Sequence, residues 1–251
     1  MVKNWKVVIP KLSGDKPRKA YIYLPDSYEK EPEKRYPVMY MFDGHNIFFD
    51  EEATFGKSWN MYKYMQDTKK DLIIVAVECN HEGNKRLIEY APFTYTNSEH
   101  GKIKGKGSVM MNWLVRHLKP YIDKEYRTLP DRKNTIIAGS SMGGLMALYG
   151  VTCYNKIFQR AAVLSPSLWV APSKLYNLVA RANMKFDTTI YMDYGSDEMF
   201  NHEGSDDALI SMTTLLLKKR ANLTFRIVPG GIHSEASWEQ QIPVFMDCLK
   251  L

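Results

Sequence analysis

With 251 residues and 45% apolar content, the chain is long enough to bury one sizeable core, and a single domain over 1–251 fits better than two small ones. Its net charge of +6 comes from Lys and Arg interspersed with acids, as in 29–35 and 123–132, which suits mild attraction for an anionic small molecule and excludes a nucleic-acid groove. No apolar run reaches the length of about 18 residues that a membrane span requires, so no membrane partner is expected.

The N-terminal segment Met1-Val2-Lys3-Asn4-Trp5-Lys6 lacks the apolar stretch of a signal peptide. The default expectation is a soluble cytoplasmic protein, a leader removed beforehand being equally compatible with this start. Three cysteines, Cys79, Cys153 and Cys248, are odd in number, widely spaced and set in apolar segments. They read as reduced core residues with neither a disulfide framework nor zinc spacing. Nothing in the sequence bears on oligomeric state.

In chain order, residues 5–9 and 19–24 form an antiparallel opening pair, joined by the turn Ser13-Gly14-Asp15. The run 37–42 is the first buried strand. Further compact apolar or β-branched runs at 72–77, 135–138, 161–164, 189–192 and 223–228 have the composition of strands covered on both faces. Between them lie helical patterns at 59–68, 108–126, 142–153, 174–183, 206–220 and 237–249, and Pro120 should kink or end the second. This alternation predicts an α/β fold with a mostly parallel sheet and helices on both faces. Residues 94–107 are polar, glycine-rich and without periodicity; they read as a mobile loop that either covers a site or lies on the surface.

The chemistry concentrates at Gly139-Ser140-Ser141-Met142-Gly143, which follows one apolar run and opens another. A sharp strand-to-helix turn needs glycines two positions to either side of its central residue. Ser141 has them and Ser140 does not, so Ser141 is the candidate nucleophile. The plainer alternative is a serine helix cap.

A serine hydroxyl needs a base, and the base needs an orienting acid. His117 lies inside a helical pattern, and His81 and His100 precede the serine. His233 directly follows the last strand, in Gly230-Gly231-Ile232-His233, which suits a base at the carboxyl edge of a sheet; His202 is the runner-up. The acid should follow the strand at 189–192, where Asp193, Asp197 and Glu198 all stand. For the oxyanion, main-chain donors are expected from Met142, after the nucleophile, and from the turn Asp43-Gly44-His45-Asn46, with His45 as the donor. Asp43 reads as structural. A metal site built from Asp43, His45, Asp50, Glu51 and Glu52 matches no ligand spacing, so no metal is expected.

These motifs, together with Leu164-Ser165-Pro166-Ser167-Leu168-Trp169 and Trp59, resemble the α/β-hydrolase family of esterases that includes esterase D, feruloyl and acetylxylan esterases, enterochelin-type siderophore esterases and mycolyltransferases. The resemblance runs from about Lys19 to Trp238. It implies an α/β-hydrolase fold with chain order serine, acid, histidine, no cofactor, and a two-step acyl-enzyme reaction. In such proteins the acid commonly lies three residues after a strand-terminal glycine, which favours Glu198 with Asp197 as the alternative. Ile232 departs from the Gly-Gly-His of many members. Trp169 and Arg86 are candidate substrate contacts, against a buried aromatic and an Arg86–Glu89 ion pair as the plainer readings.

The leading expectation is a serine carboxylesterase acting on a small-molecule or carbohydrate-linked ester. An acyltransferase or siderophore-lactone esterase would use the same residues, and a non-catalytic binding module of the same fold is the reading from another class.

Overall fold

The structure, a computed structural model, describes residues 1–14, 16–97, 99–198 and 205–251. In chain order its strands are β1 (Val2–Val7), β2 (Arg18–Tyr23), β3 (Val38–Met41), β4 (Ile73–Val77), β5 (Tyr95–Asn97), β6 (Gly101–Ile103), β7 (Thr135–Ser140), β8 (Arg160–Leu164), β9 (Thr189–Gly195) and β10 (Asn222–Val228). Eight of them form one sheet in the order β1-β2-β4-β3-β7-β8-β9-β10, while β5 and β6 pair separately. β2 is antiparallel to both β1 and β4, and every other neighbouring pair in the large sheet is parallel. This is the α/β-hydrolase fold.

Side chains alternate across the central strands, as the pleat requires. Val38, Tyr40, Ile73, Val75, Ile137 and Val163 join one apolar cluster together with Leu145 and Leu148 of the helix Met142–Cys153. Met39, Met41, Ile74, Ile136 and Ala162 point the other way, into a cluster closed by the helices Met61–Thr68 and Ile242–Cys248. Burial on both faces explains why these strands read as continuous apolar runs.

The expected elements differ from the structure in four places. First, the β1–β2 connection includes a helical turn, Pro10–Ser13, before the stretch where Asp15 lies outside the described residues. Second, of the two outcomes expected at Pro120, the helix does not end there but changes its winding just before it. It runs through Gly107–Trp113, a π-helical stretch Leu114–Leu118, and Lys119–Glu125. The widened turn absorbs the missing N–H and the bulk of the proline ring.

Third, the pattern at 237–249 is two helices, Glu235–Glu239 and Ile242–Cys248, because Pro243 cannot donate to the turn before it and starts a new helix instead. Fourth, the segment expected as an unstructured loop contains the β5–β6 ladder, with Tyr95 opposite Ile103 and both side chains buried. Ser98 within it lies outside the described residues. Of the cysteines, Cys79 is buried but Cys153 is exposed and Cys248 partly so, since each of the latter two ends a helix; all three are free thiols.

Because the central strands are parallel, the segments that follow them emerge along one edge. Two contacts fix their spacing there. A Cβ on Gly44 would lie 2.9 Å from the main chain of Val77, so only glycine lets the turn after β3 sit against the end of β4. Beside it, the Arg18 guanidinium makes a two-pronged ion pair with Glu89, 2.8 and 2.7 Å, and Glu89 also accepts from the Asn80 N–H at 3.1 Å. Both charged side chains are buried. The Arg86–Glu89 pair considered from sequence is therefore not formed, since each residue has a different partner. Removing one charge of such a pair strands the other. Glu89→Gln should lower unfolding stability by about 3 kcal/mol, read from the midpoint of a urea or guanidinium transition.

Candidate active site

β7 ends in a bend at Ser141, whose φ of 57° and ψ of −126° lie in a region that L-residues rarely occupy. The Ser141 N–H donates to the Leu164 carbonyl at 3.0 Å, and its own carbonyl accepts from Leu145 and Ser167. A Cβ on Gly139 would come within 2.6 Å of the Gly143 main chain. The strand end and the first helical turn thus touch, and a side chain at position 139 would force them apart.

The hydroxyl of Ser141 lies 2.9 Å from His233 Nε2. The other ring nitrogen, Nδ1, lies 2.5 Å from Glu198 Oε2. Glu198 is 2% exposed and sits in a short turn, Ser196–Glu198, directly after β9. Its second oxygen accepts from the Gly195 N–H at 2.8 Å and from the Ser165 hydroxyl at 2.6 Å. Asp197, the alternative acid, is exposed and accepts from the Ser196 hydroxyl, so the structure does not bring it to His233. The runner-up His202 lies outside the described residues.

The His233 loop is tied to the Glu198 turn by its main chain. Asp197 N–H donates to the Gly231 carbonyl at 3.0 Å, and Gly230 N–H to the Ser196 hydroxyl at 2.8 Å. Ile232, the departure from the Gly-Gly-His pattern, is exposed and donates its N–H to the Ser237 hydroxyl at 3.1 Å. Trp238 stands edge-on to the imidazole with 5.1 Å between ring centroids.

Ser165, at the end of β8, was not singled out from sequence. Its φ is 38°, its hydroxyl accepts from Trp238 Nε1 at 2.9 Å while donating to Glu198, and its N–H meets both the carbonyl and the carboxylate of Asp193. The available signal was position: residues 165–167 follow the strand next to β7. Ser167 likewise brings its hydroxyl to 3.5 Å from that of Ser141. Asp193 is 1% exposed, and burial, with the nearby Glu198 charge, pushes its carboxyl up to about 7 despite hydrogen bonds from Tyr191 and Ser165.

Ser141 and His233 open into a cleft of about 280 Å³ also lined by Asp43, His45, Asn46, Cys79, His81, Arg86, Glu235 and Trp238. Arg86 reaches the cleft but is committed to Asp43, which accepts from its Nε and one terminal nitrogen at 2.8 Å each. Burial alone would raise the Asp43 carboxyl; Arg86 holds it below its ordinary range. Trp169 is half-buried against the main apolar cluster and does not line the cleft.

His45 is buried in a tight turn, Gly44–Asn46, and burial lowers its imidazole to about 4, leaving it neutral. Met142 begins its helix, where an N–H has no partner within the helix. The acids weighed with His45 as metal ligands are dispersed: Asp50 accepts from Ser58, Glu52 pairs with Lys19, and Asp43 with Arg86. His45 instead meets Cys79 and His81, with one donor atom from each within 4.8 Å of the others.

A hydroxyl bonded to an imidazole that is held in turn by a buried carboxylate can lose its proton as it attacks an electrophile. The model of the family described as "Putative esterase" matches residues 13–246. The chain is a member of that esterase family. The "Uncharacterized protein YbbA" of Bacillus subtilis is 21% identical over 184 residues, 72% of this chain and 69% of that protein. The iron(III) salmochelin esterase of Escherichia coli is 33% identical over 96 residues, covering 36% of this chain and 24% of that protein. Among solved structures, an IroE-like serine hydrolase from Shewanella oneidensis superposes with a TM-score of 0.75 at 20% identity, over 100% of this chain and 78% of that one. Membership makes the protein an esterase, and among its described residues no helix is long and apolar enough to cross a membrane.

Two outcomes test this network. Ser165→Ala removes a charge-assisted hydrogen bond from Glu198 and should lower the esterase kcat about tenfold, with KM little changed in steady-state assays. For Asp193 the folded state holds its proton more tightly than the ordinary carboxylate value of 3.8. Its contribution to stability is therefore full below that value and lost as pH rises towards about 7. The Tm advantage of the wild type over Asp193→Asn should shrink as pH is raised from about 5 to about 8, and a constant difference would contradict the assignment.

Proposed function

We propose that this esterase is a serine carboxylesterase working through an acyl-enzyme, with Ser141 as nucleophile, His233 as base and Glu198 as the acid that orients it. The single observation that carries the reading is the continuous chain of contacts from Ser141 Oγ to His233 Nε2 at 2.9 Å and from His233 Nδ1 to Glu198 Oε2 at 2.5 Å. In the reaction, Ser141 Oγ attacks the ester carbonyl carbon and passes its proton to Nε2, while the Nδ1 proton stays in its bond to Glu198. The oxyanion takes hydrogen bonds from the main-chain N–H groups of Met142 and His45. Collapse expels the alcohol, which takes the proton from Nε2. Water then repeats the sequence on the acyl-serine and releases the carboxylic acid.

The bend at Ser141 supports the same reading, because a residue held at φ 57° at a strand-to-helix junction presents its side chain above the sheet edge. Backbone strain of this kind, about 1–3 kcal/mol, is commonly stored where chemistry occurs. The substrate is a small-molecule or carbohydrate-linked ester entering the cleft beside Arg86. Similarity to a salmochelin esterase over 96 residues favours, as a second reading, a lactone or ester of a siderophore, hydrolysed by the same residues.

Ser141→Ala and His233→Ala should each cut hydrolysis of a p-nitrophenyl ester by about 10⁴-fold or more, with unchanged circular dichroism. Glu198→Gln should cost about 10³- to 10⁴-fold, whereas Asp197→Asn should stay within about twofold. A fluorophosphonate probe should label wild type and not Ser141→Ala. Retained activity in the serine variant, or a larger loss at Asp197 than at Glu198, would overturn the assignment.

A further inference from the structure

Cys79 and His81 lie just beyond the end of β4. His45 arrives from the turn after β3, which pairs in parallel with β4, Met41 opposite Ala76. The contact of Gly44 on Val77 presses that turn against the β4 end and sets the His45 ring beside His81, 4.3 Å between centroids and nearly perpendicular. One donor atom from each of the three residues lies within 4.8 Å of the others.

A second observation points to a ligand. His45 is 5% exposed, and its Nδ1 is buried with no hydrogen-bond partner. A buried polar atom left unpaired is costly, and so calls for an explanation. Burial keeps the His45 ring neutral, the form that ligates a metal, and holds the Cys79 thiol protonated, so the thiol proton must leave on binding.

We propose that His45, Cys79 and His81 form a binding site for one thiophilic transition-metal cation of the Zn²⁺ class at the wall of the cleft. Two imidazole nitrogens and one thiolate are the donor set such cations prefer over Mg²⁺ or Ca²⁺, which take oxygen. Three protein ligands leave a fourth position to water or a solute. Bonds of about 2.0–2.3 Å require the donors to draw together by on the order of 1 Å, a movement for which His81, exposed at the surface, has room. On binding, the Cys79 S–H bond breaks, its proton goes to solvent and the sulfur lone pair forms the bond to the metal.

The cation also inhibits ester hydrolysis reversibly, because it and its fourth ligand take up space in the cleft that Ser141 opens into. This effect rests on the function proposed above; the binding itself does not.

The test uses tag-free full-length protein titrated with Zn²⁺ in competition with a chromophoric chelator, and with Co²⁺ followed by near-ultraviolet absorption. Wild type should bind one equivalent of Zn²⁺ and show thiolate-to-cobalt charge transfer. His81→Ala, whose exposed site leaves the fold intact, should bind at least tenfold more weakly, and Cys79→Ser should lose the charge-transfer band, while Cys153→Ser and Cys248→Ser bind as wild type does. Failure of wild type to bind, or unchanged binding and spectrum in His81→Ala and Cys79→Ser, would overturn the site. Zn²⁺ should depress wild-type hydrolysis until a chelator is added. Equal inhibition of His81→Ala would place the inhibitory cation elsewhere and overturn the inhibitory role, while absence of hydrolysis without any metal would count against the proposed function and leave the binding result standing.

Discussion

The architecture of the site depends on a single backbone bend. Ser141 leaves β7 at φ 57° and ψ −126°, a conformation that an isolated chain would abandon. It persists because it is over-determined: its N–H is held by the Leu164 carbonyl, its carbonyl by Leu145 and Ser167, and the two glycines beside it allow strand and helix to meet at contact distance. The helix that follows is buried over almost its whole length, so the bend cannot relax without pulling that helix from the core. Folding energy spread over many apolar contacts thereby fixes one hydroxyl.

The same logic extends outward from Glu198. A buried carboxylate is costly unless its lone pairs are filled, and here Gly195, Ser165 and His233 fill them. Ser165 is in turn pinned by Trp238, which packs beside His233 and against Trp59 on the opposite face of the sheet from the Met142–Cys153 helix. The acid, the imidazole and the last helices are thus one connected unit. On the other side of the cleft, Arg18–Glu89 and Arg86–Asp43 brace the segments after β3 and β4 by paired charges, which is where His45, Cys79 and His81 meet.

Much of the fold was legible in the sequence, because strands covered on both faces must be apolar throughout and helices between them must be amphipathic or buried. What escaped were features set by neighbours. Pro120 has the local chemistry of a helix breaker, yet a π-helical turn accommodates it. The polar, glycine-rich run at 94–107 has no periodicity, yet Tyr95 and Ile103 find each other across a short ladder. Arg86 and Glu89 are close in sequence, yet buried partners from other elements claim each of them.

By itself the sequence determined the class of the fold, through its alternation of apolar runs and helical patterns, and the bend at Ser141, through glycines at fixed offsets. These are local properties: a side chain excluded at position 139 is excluded wherever the chain goes. The family resemblance favoured Glu198 over Asp197, but only the tertiary structure shows which of the two faces His233, that Ser165 steadies that carboxylate, and that Cys79, His81 and His45 converge. Adjacent carboxylates in a turn differ in direction, not in chemistry, and that direction is set by the main-chain bonds joining the β9 and β10 loops. Partners some 30 to 90 residues apart meet because a parallel sheet delivers its strand ends to one edge, and no local pattern records which of them will touch.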